Sequence, residues 1–338
     1  MKKVAINGFG RIGRLVFRII EEDPNMEVVA INDLTEASQL AYLLKYDSSH
    51  RNYLVDEIAS SDEELIVKER QIKVFAEKEP EKLPWEQLEI DLVFECTGLF
   101  TTKEKAQAHI QAGAKKVLIS APAKGDLKTI VFNVNDQQLT GGEDIVSAAS
   151  CTTNCLAPVV HILEEKFGIV GGYMTTVHAY TNDQATLDVA HPKGENSRRG
   201  RAAAANIVPS STGAASAIGL VMPNLKGKLD GFALRVPTIT GSVIDLVLEL
   251  KKSTTILEIN EAFMANQNET IKITEDPIVS SDIIGSELGA LVDGQLTNIL
   301  EVDGKQFVKI VAWYDNEYGY SAQMIRVAKK LLKINGGD

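Results

Sequence analysis

Residues 7–13 read Asn7-Gly8-Phe9-Gly10-Arg11-Ile12-Gly13, a G-x-G-x-x-G pattern that decides the fold of the first part of the chain. A β-rich run over residues 3–7 precedes it, and an apolar helical pattern follows over residues 11–22. Glycines allow a tight turn and let the backbone approach a pyrophosphate, whose charge then faces the helix N-terminus. In this context the pattern predicts a dinucleotide-binding unit, and a glycine-rich turn of some other α/β protein is the less favoured alternative.

Asp33 ends a second predicted strand at residues 27–32, 20 residues after Gly13. A carboxylate at this position hydrogen-bonds the adenosine ribose hydroxyls of NAD and repels the additional phosphate of NADP. The sequence therefore predicts NAD as cofactor. The predicted binding residues are those of the turn and the strand end: Asn7, Gly8, Gly10, Arg11, Ile12, Gly13 and Asp33.

Strands and helices alternate as far as residue 150, which predicts a doubly wound parallel sheet of the Rossmann type. Further strands are predicted at residues 91–96 and 116–120, further helices at 38–45 and 102–112, and an irregular hairpin region at 53–75.

After Ser150 the pattern changes to one long helix at residues 152–167 followed by regularly spaced strands. These strands are predicted at 172–180, 231–237, 242–250, 296–300 and 307–314, with a helix at 256–266 and a last helix at 317–333. Such an order indicates a second, mostly antiparallel-sheet domain, so that the fold class is α/β plus α+β. The predicted domains are residues 1–150 with 317–338, to which the last helix returns, and residues 151–316.

The composition excludes several functional classes. The 338 residues carry a formal net charge of −11, which disfavours nucleic acid and anionic membranes as partners. No apolar run approaches the ~18 residues of a membrane-spanning helix, and the apolar stretch at the start is too short for a signal peptide. Three cysteines suit a reducing compartment, so a cytoplasmic location is predicted. The five histidines are scattered without metal-ligand spacing, so no metal is predicted.

Cys151 lies where a β-run gives way to a helix, in Ser150-Cys151-Thr152-Thr153-Asn154-Cys155. The positive end of a helix dipole lowers the pKa of a thiol, so this position predicts a thiolate nucleophile with a pKa below the ~8.5 of free cysteine. A buried packing cysteine is the alternative. Cys155 is interpreted as a packing residue, with a redox partner of Cys151 as the minority alternative, and Cys96 as structural.

Longer motifs resemble one family. Residues 148–158 (AASCTTNCLAP), together with NGFGRIGR, resemble glyceraldehyde-3-phosphate dehydrogenase of the phosphorylating type. The likeness covers nearly the whole chain, because further motifs recur in the order of the family: LLKYDSSH, CTG, VHAYTNDQ, GRAAAANIVPSSTGAA, LRVPT and WYDNEYGY.

The resemblance implies oxidation of D-glyceraldehyde 3-phosphate with NAD and inorganic phosphate to 1,3-bisphosphoglycerate. Cys151 would attack the aldehyde and pass through a thiohemiacetal and a thioester, with His178 as general base. Asn316 would bind the nicotinamide carboxamide with Tyr320 nearby, and Thr97 and Ser120 would line the cofactor cleft.

Two anion sites are also implied. The substrate phosphate would bind Thr181, Asp183, Arg199 and Arg235, and inorganic phosphate would bind Ser150, Thr152, Thr212 and Gly213. Arg199 is placed by counting back from Thr212, because residues 191–201 (HPKGENSRRGR) depart from the segment common in the family. Val189-Ala190 stands where many members have Leu-Pro, which bears on the choice of NAD over NADP. The resemblance further implies a homotetramer, with residues 190–201 packed between subunits and against the cofactor.

Three alternatives remain. Erythrose-4-phosphate dehydrogenase shares the cysteine segment, but there the residues that follow the histidine strand are usually altered, whereas Thr181-Asn182-Asp183 is intact here. A primarily binding or adhesion protein has no supporting feature in the sequence. A NAD-binding protein without catalysis would make the Cys151 and His178 motifs coincidental.

Overall fold

The computed structural model describes residues 1–192, 194 and 197–334. Close contacts between Cα atoms divide the chain into two compact units. One is Met1–Ser150 together with the chain from Ser321 onward, and the other is Cys151–Tyr320. Residues 335–338 of the first predicted domain lie outside the described residues. No described helix has the length and apolar character required to cross a membrane.

The first unit contains a twisted sheet of eight described strands in the order β3-β4-β5-β2-β1-β6-β7-β8. Its strands are β1 Lys2–Asn7, β2 Met26–Asn32, β3 Ile58–Ser60, β4 Glu64–Val67, β5 Arg70–Phe75, β6 Leu92–Glu95, β7 Val117–Ile119 and β8 Ile145–Ser147. The pairs from β5 to β8 are parallel, and β3, β4 and β5 pair antiparallel at one edge. The hairpin region expected at residues 53–75 is thus a three-stranded extension of the parallel sheet.

The helices of this unit are α1 Arg11–Ile20, α2 Ala37–Lys45 and α3 Lys103–Gln111. The central strands are apolar along their length, as strands covered on both faces require, and Val4, Ala5 and Ile6 are fully buried. Thr102 is the N-cap residue of α3, and its side chain accepts a hydrogen bond from the Lys105 amide. Because β1 pairs parallel with both β2 and β6, the carboxyl ends of these three strands lie along one edge of the sheet.

The second unit is built on a mostly antiparallel sheet in the order β10-β11-β9-β12-β16-β14-β13, with β15 paired to β16. Its strands are β9 Ile169–Ala179, β10 Val208–Ser211, β11 Leu229–Val236, β12 Ser242–Leu250, β13 Ile271–Thr274, β14 Ala290–Asp293, β15 Asn298–Val302 and β16 Lys305–Tyr314. Two pairs are parallel, β9 with β11 and β13 with β14. The helices are α4 Cys151–Lys166, α5 Ala214–Val221 and α6 Ile256–Ala265. A last helix, α7 Tyr318–Leu331, begins in this unit, and its residues from Ser321 onward belong to the first unit.

The predicted fold class is confirmed, and the differences are local. Five elements escaped the sequence patterns: β8, β10, β13, β14 and α5. Four of them are strands of three or four residues, too short to show alternation. α5 reads AASAIGLV, which is small or apolar on every face and so has no amphipathic signature. The strand expected at 296–300 begins only at Asn298, because Gly294–Leu296 forms a 3₁₀ turn.

Candidate active site

The glycine-rich turn joins β1 to α1 and requires glycine at two positions. Gly8 has φ +91°, and a Cβ there would lie 2.8 Å from the Thr97 amide nitrogen. A Cβ on Gly13 would lie 2.2 Å from the Gly8 carbonyl oxygen, so helix and turn pack in direct contact. α1 begins at Arg11, and the first amides of a helix have no partner within it. The turn therefore offers main-chain donors to an anion.

Asp33 directly follows β2 and also stabilises this turn. One carboxylate oxygen, Oδ2, accepts a hydrogen bond from the Phe9 amide at 2.7 Å, and Oδ1 accepts one from the Thr35 amide at 3.0 Å. The carboxylate is thereby fixed against Phe9 of the turn, at the position that the sequence predicts to discriminate ribose hydroxyls from a phosphate.

A cavity of about 530 Å³ lies over this edge of the sheet within the first unit. Its lining is Asn7, Gly8, Gly10, Asn32, Asp33, Leu34, Glu77, Lys78, Cys96, Thr97, Leu99 and Phe100. Five of these residues were predicted to bind the cofactor. The other seven were not predicted as binding residues, among them Lys78 and Phe100, whose only signal is that they follow strands of the same sheet. Glycine backbone, a carboxylate and apolar walls fit a dinucleotide.

Some predicted cofactor residues do not line this cavity. The Arg11 guanidinium pairs with Asp47 and lies 3.3 Å from the His50 ring. Burial alone would raise the pKa of Asp47, but the hydrogen bond from Arg11 and those from the His50 and Ser49 amides hold it at about 2. The Arg11 side chain is engaged by Asp47, and Ile12 and Gly13 have no polar side chain. The groups that these three residues would offer to a phosphate are therefore their main-chain amides. Ser120 hydrogen-bonds the Cys96 thiol, whose pKa burial raises strongly.

The second unit brings Cys151 and His178 into contact. Cys151 is the first residue of α4, His178 lies near the end of β9, and the sulfur is 3.4 Å from Nε2 of the imidazole. Nδ1 lies 2.7 Å from the Ala179 carbonyl oxygen, which can only accept, and 3.1 Å from Nη1 of Arg235, which can only donate. Because Nη1 has other acceptors in the Ala179 carbonyl oxygen and the Thr181 hydroxyl, we assign the proton of Nδ1 to its shorter contact, with Ala179. Nε2 of the neutral ring therefore presents a lone pair to the thiol, as a general base requires.

Tertiary surroundings change the expected titration of this pair. Burial raises the pKa of the Cys151 thiol, although Arg235 and the amides at the start of α4 oppose it. This rise is opposite in direction to the prediction of a pKa below that of free cysteine, which rested on the helix N-terminus together with a histidine base. Burial and the Arg235 charge lower the pKa of His178 to about 3.

A chain of polar contacts leads away from His178 through the residues of the first predicted anion site. Arg235 on β11 lies directly opposite His178 on the neighbouring strand β9. Its Nη1 donates a hydrogen bond to the Thr181 hydroxyl at 2.9 Å. Thr181 and Arg199 both donate to Asp183. Burial raises the pKa of Asp183, but these contacts and the two arginines lower it overall. The structure thus brings Thr181, Asp183, Arg199 and Arg235 together beside the base.

The residues of the second predicted anion site lie on two separate segments, one before α5 and one at the start of α4. Gly213 precedes α5, and the Thr212 hydroxyl accepts a hydrogen bond from the Ala214 amide at 3.2 Å. Arg199 donates to the Ser211 carbonyl oxygen at 3.3 Å, so its guanidinium adjoins this segment as well as Asp183. Ser150 directly precedes Cys151 in the chain.

Thr152 differs from expectation, because its side chain is buried beneath the cysteine. Its hydroxyl hydrogen-bonds the Tyr314 hydroxyl at 2.9 Å and lies 3.9 Å from the Cys151 sulfur. Tyr314 also bonds Thr176 at 2.8 Å and packs edge-on against the His178 ring. Sequence reasoning missed Tyr314 and Thr176, although Tyr314 lies in the WYDNEYGY motif.

The remaining predicted residues lie in the second unit. Asn316 is 4% exposed, and its side-chain oxygen accepts hydrogen bonds from the Ser242 hydroxyl and the Gly241 amide. Tyr320 is buried in α7. Cys155 is buried, and its thiol donates to the Ala312 carbonyl oxygen at 3.8 Å, a packing position. Within the loop predicted at 190–201, Lys193, Glu195 and Asn196 lie outside the described residues.

Comparison with known proteins gives a consistent assignment for the whole chain. Residues 2–103 match the family model of the glyceraldehyde 3-phosphate dehydrogenase NAD binding domain, and residues 150–316 match that of its C-terminal domain. Glyceraldehyde-3-phosphate dehydrogenase from Clostridium pasteurianum is 59% identical over 334 residues, covering 99% of each chain. The enzymes of that name from Clostridium acetobutylicum and Streptococcus pyogenes are 58% and 52% identical, covering 99% and 98% of each chain. The chain therefore belongs to the glyceraldehyde-3-phosphate dehydrogenase family.

Proposed function

We propose that the chain is an NAD-dependent, phosphorylating aldehyde dehydrogenase that converts D-glyceraldehyde 3-phosphate and inorganic phosphate to 1,3-bisphosphoglycerate. The observation that carries the proposal is the 3.4 Å contact between the Cys151 sulfur and His178 Nε2, next to the cluster that contains Arg235. A nucleophile, a base and an arginine for a remote phosphate are the groups that this reaction needs.

The first step forms a bond between the Cys151 sulfur and the aldehyde carbon. As the sulfur attacks, the thiol proton passes to Nε2 of His178 and from there to the developing alkoxide, which gives a thiohemiacetal. The low pKa of His178 favours handing the proton on, because the buried ring beside Arg235 is poor at retaining a charge. The base is thus neutral again for the second step.

The second step removes the hydroxyl proton of the thiohemiacetal and a hydride from the same carbon. NAD, when bound, supplies the acceptor for that hydride. His178 Nε2 takes the hydroxyl proton, so that the carbon–oxygen double bond re-forms and a thioester on Cys151 remains. Asn7, Gly8, Gly10, Asp33 and Thr97 would hold the cofactor at the edge of the first sheet, with main-chain contacts from Arg11, Ile12 and Gly13. Asn316, Tyr320 and Ser120 would contact it elsewhere.

The reaction needs two phosphate sites, one for the phosphate group that the aldehyde carries and one for inorganic phosphate. Arg235 and Thr181 would anchor the phosphate of the aldehyde, with Arg199 and Asp183 completing that cluster, because remote binding energy can orient the carbonyl against Cys151. Inorganic phosphate would bind Thr212 and Gly213 at the start of α5, together with Ser150 and the main chain of Thr152 at the start of α4, because amides and the helix dipole favour an anion there. Its oxygen would then attack the thioester carbon, and the carbon–sulfur bond would break. The Cys151 thiolate released would take back the proton that His178 Nε2 accepted in the second step, which restores the thiol and the neutral base.

The domains, assembly and location belong to the same proposal. Residues 1–150 with 317–338 would form the NAD-binding domain and residues 151–316 the catalytic domain. A homotetramer is supported by an apolar sheet face in the second unit, where Tyr173, Phe232 and Val247 are 73%, 47% and 39% exposed. Tyr173 and Val247 are direct cross-strand neighbours. We place the enzyme in the cytoplasm, because its three cysteines are free thiols.

NADH absorbance tests the function. With glyceraldehyde 3-phosphate, NAD and phosphate, sustained NADH formation is expected, and omitting phosphate should leave about one NADH per Cys151 followed by slow hydrolysis. Cys151→Ser, which exchanges one atom, should abolish the burst. Sustained fast turnover without phosphate would place the chain among hydrolytic aldehyde dehydrogenases instead, and a preference for erythrose 4-phosphate would change the substrate.

A further inference from the structure

Ser242 is a buried hydroxyl that neither the motifs nor the proposed mechanism uses. It is the first residue of β12 and is 1% exposed. The Ala179 amide donates to its oxygen at 3.1 Å, and the hydroxyl lies 2.9 Å from Oδ1 of Asn316. Because a backbone N–H can only donate, the serine accepts from Ala179, and its own proton is directed to Asn316.

The same contact fixes which way the Asn316 amide points. The Gly241 amide also donates to Oδ1, at 3.1 Å, so the oxygen of the side chain faces two donors and the NH₂ group is directed away from them. A rotated amide would turn its NH₂ toward the Gly241 N–H, which cannot accept. Gly241 has φ +88°, and a Cβ there would lie 2.3 Å from the Ser280 carbonyl oxygen, so this turn is fixed.

On its other side, Ser242 binds the amide of Ala179, the residue that directly follows the base His178. The Ala179 carbonyl oxygen accepts hydrogen bonds from His178 Nδ1 at 2.7 Å and from Arg235 Nη1 at 3.1 Å. Ala179 therefore has both roles: its N–H donates to Ser242, and its carbonyl oxygen accepts from Nδ1 of His178. One hydroxyl joins the end of the histidine strand to Asn316.

We infer that Ser242 is a positioning residue for hydride transfer: it holds the Asn316 amide so that only N–H donors face the nicotinamide carboxamide. Donors alone select the carbonyl oxygen of the carboxamide over its NH₂ group, which favours one of its two orientations. This inference rests on the proposed function, in which Asn316 binds that group. Without the hydroxyl, Asn316 keeps the Gly241 contact but loses its tie to the histidine strand.

Binding of cofactor fragments gives a test that does not depend on activity. Ser242→Ala should leave the Kd for ADP-ribose unchanged, because that molecule lacks nicotinamide, and should weaken NAD binding by about 3- to 10-fold, the value of one neutral hydrogen bond. Ser242→Cys, with a weaker donor of similar size, should give a smaller loss. Thr254→Val removes another buried hydroxyl of the same unit, which bonds Glu258 at 3.1 Å, and should leave the ratio of the two Kd values unchanged.

A double-mutant cycle tests whether Ser242 acts through Asn316. In the otherwise unmodified enzyme Ser242→Ala should lower kcat about 3- to 10-fold, and in an Asn316→Ala background it should lower kcat little further. Equal losses in both backgrounds, or Kd ratios for Ser242→Ala and Ser242→Cys like that of the unmodified enzyme, would overturn the inference. Failure of the proposed function is separate, since then the unmodified chain would form no NADH from the aldehyde and phosphate.

Discussion

At the scale of single residues, His178 is the group whose removal should separate cofactor binding from chemistry. Its Nε2 lies 3.4 Å from the Cys151 sulfur, and its ring is buried in the second unit, whereas the dinucleotide cavity lies in the first. His178→Asn should lower kcat by about 10²–10⁴-fold, the usual value of a general base, and leave the Kd for NAD unchanged. Stopped-flow NADH formation and calorimetry measure the two quantities. Near-normal turnover would make His178 a structural residue.

The same histidine should leave a signature in stability against pH. Its pKa is about 3 in the folded chain, against an ordinary value of 6.5. Between these values the unfolded chain binds a proton that the folded chain does not, so acidification from pH 6.5 towards 3 destabilises the folded state through this group. His178→Asn removes that contribution and should lose less stability over this range. Denaturant unfolding at several pH values tests it, and parallel curves for the two proteins would contradict the low pKa.

Arg235 is the residue that links the thiol to the substrate phosphate. Its charge opposes the rise that burial causes in the Cys151 pKa, so Arg235→Leu should raise that pKa further and slow alkylation by iodoacetamide at pH 7. Turnover of glyceraldehyde 3-phosphate should fall severely, and turnover of unphosphorylated glyceraldehyde much less. In the unmodified protein Cys151 should be labelled before Cys96 and Cys155. Equal losses with both aldehydes would remove Arg235 from the phosphate site.

At the scale of secondary-structure elements, the junction of β1, α1 and β2 should set the choice of cofactor. Asp33 both faces the cavity and accepts from the Phe9 amide at 2.7 Å, so replacing it with alanine would remove a charge and a structural acceptor together. Asp33→Asn keeps an acceptor oxygen and removes only the charge that repels a 2′-phosphate.

For Asp33→Asn we expect kcat/KM with NADP to rise relative to kcat/KM with NAD, while the melting temperature stays close to that of the unmodified protein. Asp33→Ala is the comparison that also loses the acceptor. If the unmodified protein already uses NADP as efficiently as NAD, Asp33 does not discriminate, and Val189-Ala190 becomes the segment to examine.

At the scale of the whole molecule, the exposed apolar sheet face should govern assembly. Burying Tyr173, Phe232 and Val247 between subunits would stabilise association, whereas a charge introduced there would have to be desolvated. Analytical ultracentrifugation of the unmodified protein should give about four times the 36.8 kDa chain mass, and Tyr173→Asp should give smaller species. Leu257→Asp, at an exposed position of α6, is a matched control. A monomeric unmodified protein would contradict the tetramer.

The sequence by itself determined those features that depend on residues close to one another in the chain. Glycine spacing, an acid at the end of β2 and the alternation of apolar runs predicted the dinucleotide-binding fold, because steric demands at a turn and burial along a strand act on adjacent residues. The motifs around Cys151 and His178 likewise predicted the family, and with it the nucleophile and the base that we propose.

Tertiary structure alone decided the electrostatics and the supports of the site. Position at a helix N-terminus predicted a depressed thiol pKa, yet burial, which depends on residues distant in sequence, outweighs that local effect and raises it. Tyr314 lies 162 positions from Thr152, and Ser242 lies 74 positions from Asn316, so no local pattern could pair them. The packing of α4 against β16 brings Thr152 to Tyr314, and the pairing of β12 with β16 brings Ser242 close to Asn316. Only the folded chain specifies these contacts.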